Sequence, residues 1–107
     1  RLGDKAQARK CWQDIADNYP QHSSGARANA YMCEALDKDY PSAAMWYERS
    51  LRSNPDDCMT LFNYAVMLES VVGKKREALA LFEAAHRLGD QTAGRRAALL
   101  RQQLVSQ

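Results

Sequence analysis

The side chains best suited to acid–base, nucleophilic or metal chemistry here are His22, His86, Cys11, Cys33, Cys58 and the neighbouring pair Asp56 and Asp57. An activated base or nucleophile needs an orienting partner. His22 sits in a Pro-Gln-His-Ser-Ser loop and His86 late in a helical stretch, neither with a Cys, Ser or acid at an interpretable spacing. Three cysteines are an odd number, and no Cys-x-x-Cys occurs, so neither a disulfide framework nor a zinc site is indicated. Buried free thiols and a reducing, cytoplasmic setting are the expectation. Asp56 and Asp57 suit a helix N-terminus better than a metal, and no phosphate-cradling Gly-rich loop is present. No catalytic residue, metal or cofactor is expected, and the chain does not read as an enzyme.

The elements that must carry any function are those of one small domain. Its 107 residues include 46% hydrophobic and 26% charged types, with 15 basic against 13 acidic side chains. This balance excludes a disordered linker and a polycation. No apolar run approaches the roughly 20 residues of a membrane span, and a start at Arg1 reads as a piece of a longer chain. Charge is uneven: residues 74–107 hold seven basic and three acidic side chains, residues 1–73 eight and ten. Lys74, Lys75, Arg76, Arg87, Arg95, Arg96 and Arg101 are accounted for equally by an acidic partner and by solvation of a terminal helix.

A slide of 35 residues aligns the chain with itself. Gly3 meets Lys38 and Gly73, Ala8 meets Ala43 and Ala78, and Trp12 meets Tyr47 and Phe82; Pro20 pairs with Pro55, Ala30 with Ala65 and Cys33 with Leu68. A period of this length marks stacked helical hairpins. Apolar residues recur at three- and four-residue steps, which predicts six helices and no strand. The first follows an Asp4 cap with Gln7 as capping-box partner, and turns Ala8, Trp12, Ile15 and Ala16 inward before Pro20. The second starts with Ser23 or Ser24 as cap and ends near Asp37. The third has Pro41 in its first turn and stops at Asn54-Pro55. The fourth presents Leu61, Tyr64, Ala65, Leu68 and Val71 and breaks at Gly73. The fifth spans 75–88, closing at Gly89, and the sixth follows an Asp90 cap with Ala93, Ala97, Leu100 and Leu104 on one stripe.

This pattern resembles the tetratricopeptide repeat. The carrying residues are Gly3, Asp4, Ala8, Trp12 and Pro20; then Ala30, Asp39, Tyr40, Ala43, Tyr47 and Asn54-Pro55-Asp56; then Leu61, Tyr64, Ala65, Leu68, Gly73, Ala78, Phe82 and Ala85. The fold implied is an all-α, right-handed helical-hairpin solenoid forming one domain over 1–107. It comprises a half repeat at 1–20, repeats at 21–55 and 56–90, and a capping helix at 91–107. Each unit is one residue longer than is usual for the family, which is assigned to the loop between paired helices. Lys38 replaces a turn glycine, and Ser50 stands at a small apolar position. In the sixth helix Arg96 and Gln103 replace core residues, as solvation of a terminal cap requires.

The resemblance implies a protein-interaction scaffold that binds a peptide or helix of a partner on a concave groove. Its lining would be Arg27, Tyr31 and Glu34 from one hairpin and Met59, Phe62, Asn63, Val66 and Glu69 from the next. Packing against neighbouring helices explains Tyr31, Phe62 and Val66 equally well. The family's clamp for chaperone C-termini is only partly matched, by Arg27 and Asn63, with Tyr31, Gly94 and Ala98 at its other places. The alternative is a pentatricopeptide-like RNA-binding module, which the stretch from Gly73 to Gly89 also resembles. That reading would put Tyr64 where a small polar base-reader is needed and Glu69 at a buried place, so nucleic acid is not the expected partner. Trp12 and Ile15 are expected at an uncovered N-terminal edge, through which the chain would self-associate.

Overall fold

The computed structural model describes residues 2–20 and 22–106, and among them all regular structure is helical. The helices are α1 (Leu2–Asn18), α2 (Ser23–Tyr31), α3 (Tyr40–Ser53), α4 (Cys58–Met67), α5 (Lys75–Arg87) and α6 (Gln91–Val105). α2 continues into a π-helical turn at Met32–Leu36, and α4 into one at Leu68–Val72. None of the described helices is long and apolar enough to cross a membrane. The chain divides into two units, Arg1–Asp57 and Cys58–Gln107. Each holds one helical hairpin, α2 with α3 or α4 with α5, plus a flanking helix.

In the first unit α1 begins at Leu2, so Asp4 lies inside the helix rather than capping it; its side chain is outside the described residues. Gly3, aligned with the turn positions Lys38 and Gly73, is likewise helical. The cap of α2 is His22, whose Nδ1 accepts from the Ser24 amide at 3.1 Å, so it precedes both expected serines. α2 buries small residues: Ser23, Gly25, Ala26, Ala28 and Ala30. A Cβ on Gly25 would lie 2.1 Å from the Tyr19 carbonyl oxygen, so only glycine lets the end of α1 pass this closely. Ala16 joins Ala28 and Met32 in a cluster with half-buried Trp12 and Leu36 packed against it. Ile15 remains 37% exposed.

Asp39 caps α3 by accepting from the Ser42 amide, and Pro41 occupies the first turn, where its missing donor costs nothing. Ala43, Tyr47 and Ser50 follow at helical spacing and are fully buried. Ser50 Oγ donates to the Ser23 carbonyl at 3.0 Å, which is how a hydroxyl fits a small apolar position.

The second unit repeats this frame. Ala78, Phe82 and Ala85 are fully buried on α5, as are Ala65 and Met67 on α4, with Leu61 and Leu68 nearly so. Asp90 Oδ1 accepts from the Ala93 amide at 3.0 Å, and Ala93, Ala97 and Leu100 form the inward stripe of α6. Arg96, expected in solvent, instead lies over Phe82 and Phe62, 5.5 and 5.8 Å from their ring centres. Its long stem suits an apolar surface as well as water. Val71, expected inward, is 46% exposed because it falls in the π-helical turn, whose wider winding carries it off the α-helical stripe.

Candidate partner-binding faces

Arg27, Tyr31 and Glu34 recur at four- and three-residue steps on α2 and its last turn, which places them on one side of the helix. Each is engaged within the first unit. Arg27 Nη1 donates to both carboxylate oxygens of Asp57, at 2.7 and 2.6 Å, and Asp57 is buried. Asp57 therefore does more than complement a helix terminus: it anchors the end of the α3–α4 connection to α2. Tyr31 stacks against Trp12 of α1, with ring centres 4.3 Å apart and planes tilted by 44°. Trp12 thus faces α2 and is half-buried rather than presented at an uncovered edge. Glu34 accepts from the Tyr47 hydroxyl at 2.7 Å. Burial, then this bond and the nearby Glu34 charge, push the Tyr47 phenol far above its ordinary range, so it acts as a permanent donor.

Met59, Phe62, Asn63, Val66 and Glu69 lie on α4 and its last turn in the second unit, again at three- and four-residue steps. Met59 is 61% exposed, while the other four are half-buried. Phe62 packs edge-on against Phe82, with centres 5.5 Å apart, and the Arg96 guanidinium covers both rings. Phe62 is therefore shared between the face and the hairpin interior. Tyr64, on another side of α4, is buried.

Sequence reasoning had no signal for the partners that hold Arg27, Tyr31 and Glu34, since Asp57, Trp12 and Tyr47 are 30, 19 and 13 positions away. The three cysteines are free, Cys33 and Cys58 half-buried and Cys11 exposed, where mostly buried free thiols were expected. Burial, then the charges of Asp39 and Asp37, push the Cys33 thiol up, against thiolate formation. No group of three or more His, Cys, Asp or Glu able to hold a metal occurs among the described residues. Compared with protein-family models, curated proteins and solved structures, the chain matches none.

Proposed function

We propose that the chain is a tetratricopeptide-like, right-handed helical-hairpin scaffold that binds an extended peptide or a helix of a protein partner, without catalysing a reaction. One observation carries this reading: the 35-residue repeat recurs in the backbone as well as the sequence. Lys38 and Gly73 both take left-handed conformations, at φ 56° and 77°. The next amide closes each turn identically, Asp39 onto the Cys33 carbonyl and Lys74 onto the Leu68 carbonyl, both at 2.8 Å. Hairpins of this kind need neighbours to cover their apolar faces, and arrays of them present the first helices to partners.

Exposed Met59, with half-buried Val66 two turns on, offers the adaptable apolar contact that peptide-binding surfaces use. Buried Tyr64 weighs against base reading in the pentatricopeptide manner, because its ring is not presented. The test is selection of peptides from a displayed library on the 107-residue chain, followed by Met59→Asp. Tenfold or greater loss of binding with unchanged helicity supports the scaffold. Failure to select any peptide, or submicromolar sequence-specific binding of single-stranded RNA, overturns it.

A further inference from the structure

The first unit contains a cavity of about 280 Å³ bounded by α1, α2, α3 and the α1–α2 turn. It lies apart from the proposed peptide face: His22, Ala26 and Asn29 line it at four- and three-residue steps, whereas Arg27, Tyr31 and Glu34 follow another side of α2. Ala16, Ala26 and Pro20 supply apolar surface. Trp46, Arg49 and Ser53, spaced along one side of α3, supply most of the polar wall.

These polar groups are mainly donors. Because His22 Nδ1 accepts from the Ser24 amide, the neutral ring keeps its proton on Nε2, which is then a donor. The Trp46 indole N–H and the Arg49 guanidinium only donate, while Asn29 and Ser53 can do either. The exposed Arg49 guanidinium lies over half-buried Trp46, 5.2 Å from the ring centre, which places its charge beside the indole at the wall. No carboxylate is among the described residues lining the cavity, and among the described residues Arg49 forms no ion pair. An exposed guanidinium resting on Trp46, several donors and no opposing acid among the described lining residues make an open site for negative oxygen, since charge-assisted bonds to an oxyanion are the strong kind.

We propose that this cavity binds a small organic anion, its carboxylate or phosphate held by Arg49 with Trp46, Asn29 and His22, and its short hydrocarbon body laid on Ala16, Ala26 and Pro20. The volume of about 280 Å³ falls just below the range of small-molecule sites, which run from about 300 to 1,000 Å³, so the ligand is small.

The two indole N–H resonances, assigned with Trp46→Phe, give the readout in a ¹H–¹⁵N titration at constant ionic strength. The probes are butyrate, glycerol phosphate, and a short peptide with either a free or an amidated C-terminus. The expected result is a saturating shift of the Trp46 indole with butyrate or glycerol phosphate, a static Trp12 indole, and tenfold or greater weakening in Arg49→Gln. Asn29→Asp, which adds a carboxylate to the wall, should weaken binding similarly and guards against a folding defect peculiar to one variant. Shifts that stay linear, that appear equally at Trp12, or that persist in both variants overturn the proposal. Saturation by the free-carboxylate peptide alone overturns it too, reassigning the cavity to chain termini.

Discussion

Tyr47 on α3 and Phe82 on α5 stand 35 residues apart at the same place in their hairpins, and both are fully buried. Their surroundings differ. The Tyr47 hydroxyl donates to Glu34, whereas Phe82 meets the edge of Phe62 under the Arg96 guanidinium. A second pair differs in the same way. Ser50 on α3 donates to the Ser23 carbonyl on α2, but the matching contact in the second unit runs backwards, from Cys58 Sγ on α4 to the Ala85 carbonyl on α5 at 3.8 Å. Full burial is thus held constant at Tyr47 and Phe82 and at Ser50 and Ala85, while Ser23 is buried and Cys58 half-buried, and the polar chemistry is free to change sides or disappear. That is the expected hierarchy in a packed repeat. Removing a large buried side chain costs several kcal/mol, but a single hydrogen bond contributes about 1 kcal/mol net.

The comparison breaks first where volume is removed. Tyr47→Ala and Phe82→Ala should each lower stability by about 3–5 kcal/mol, measured by urea denaturation. A cost below about 1 kcal/mol for either would show that its place is not a shared core position.

A finer probe removes only the polar difference. Tyr47→Phe leaves the ring and deletes the donor to half-buried Glu34, which should cost about 1 kcal/mol at neutral pH. Folding raises the Tyr47 phenol above its unfolded value. Its contribution is therefore complete below the unfolded value of about 10 and falls as pH rises beyond it toward the folded value. The gap between wild type and Tyr47→Phe should narrow, then reverse, in alkaline melts. Parallel curves from pH 8 to 11 would contradict the burial of the phenol.

The smallest effects belong to the turns. Lys38 adopts a left-handed conformation that a side chain disfavours, while Gly73 adopts it freely. Lys38→Gly should stabilise by about 0.5–1 kcal/mol and Gly73→Ala destabilise by about 1 kcal/mol. A Cβ on Gly73 meets nothing within 4 Å, so that cost is conformational rather than steric. Equal signs for the two substitutions would end the equivalence of the turns.

Helix number, the Asp90 cap, the Pro41 start, the Asn54-Pro55 stop and the Gly73 and Gly89 ends were legible because each end rests on one residue's backbone preference. Spacing made Ala43 and Tyr47 on α3 and Ala78, Phe82 and Ala85 on α5 legible as inward, and all five are buried, whereas Ala44, Leu51 and Leu79, expected inward on the same grounds, are half-buried. The His22 cap was not, since a histidine accepting through Nδ1 competes poorly with two adjacent serines in any local preference. For the candidate faces, helical spacing identified which residues share a side, but not which were already engaged. Phe62 and Arg96 meet across 34 positions and Arg27 and Asp57 across 30, distances over which no periodic signal operates. The cavity beside Trp46 was equally invisible, because its walls come from separate helices and a turn.

The residue that lengthens each repeat was placed in the interhelical loop, yet the structure has a π-helical turn at the end of α2 and of α4. Such a turn encloses one more residue between hydrogen-bonded partners than an α-turn does, and here it ends two positions before left-handed Lys38 and one before left-handed Gly73. Gain or loss of a residue at 32–36 or 68–72 can be absorbed by converting one winding to the other, leaving the caps of α3 and α5 in phase. The same change inside α3 would swing Ala43 and Tyr47 about 100° apart in facing. The repeat therefore carries an expansion joint at a defined place, and its length is a local variable rather than a signature.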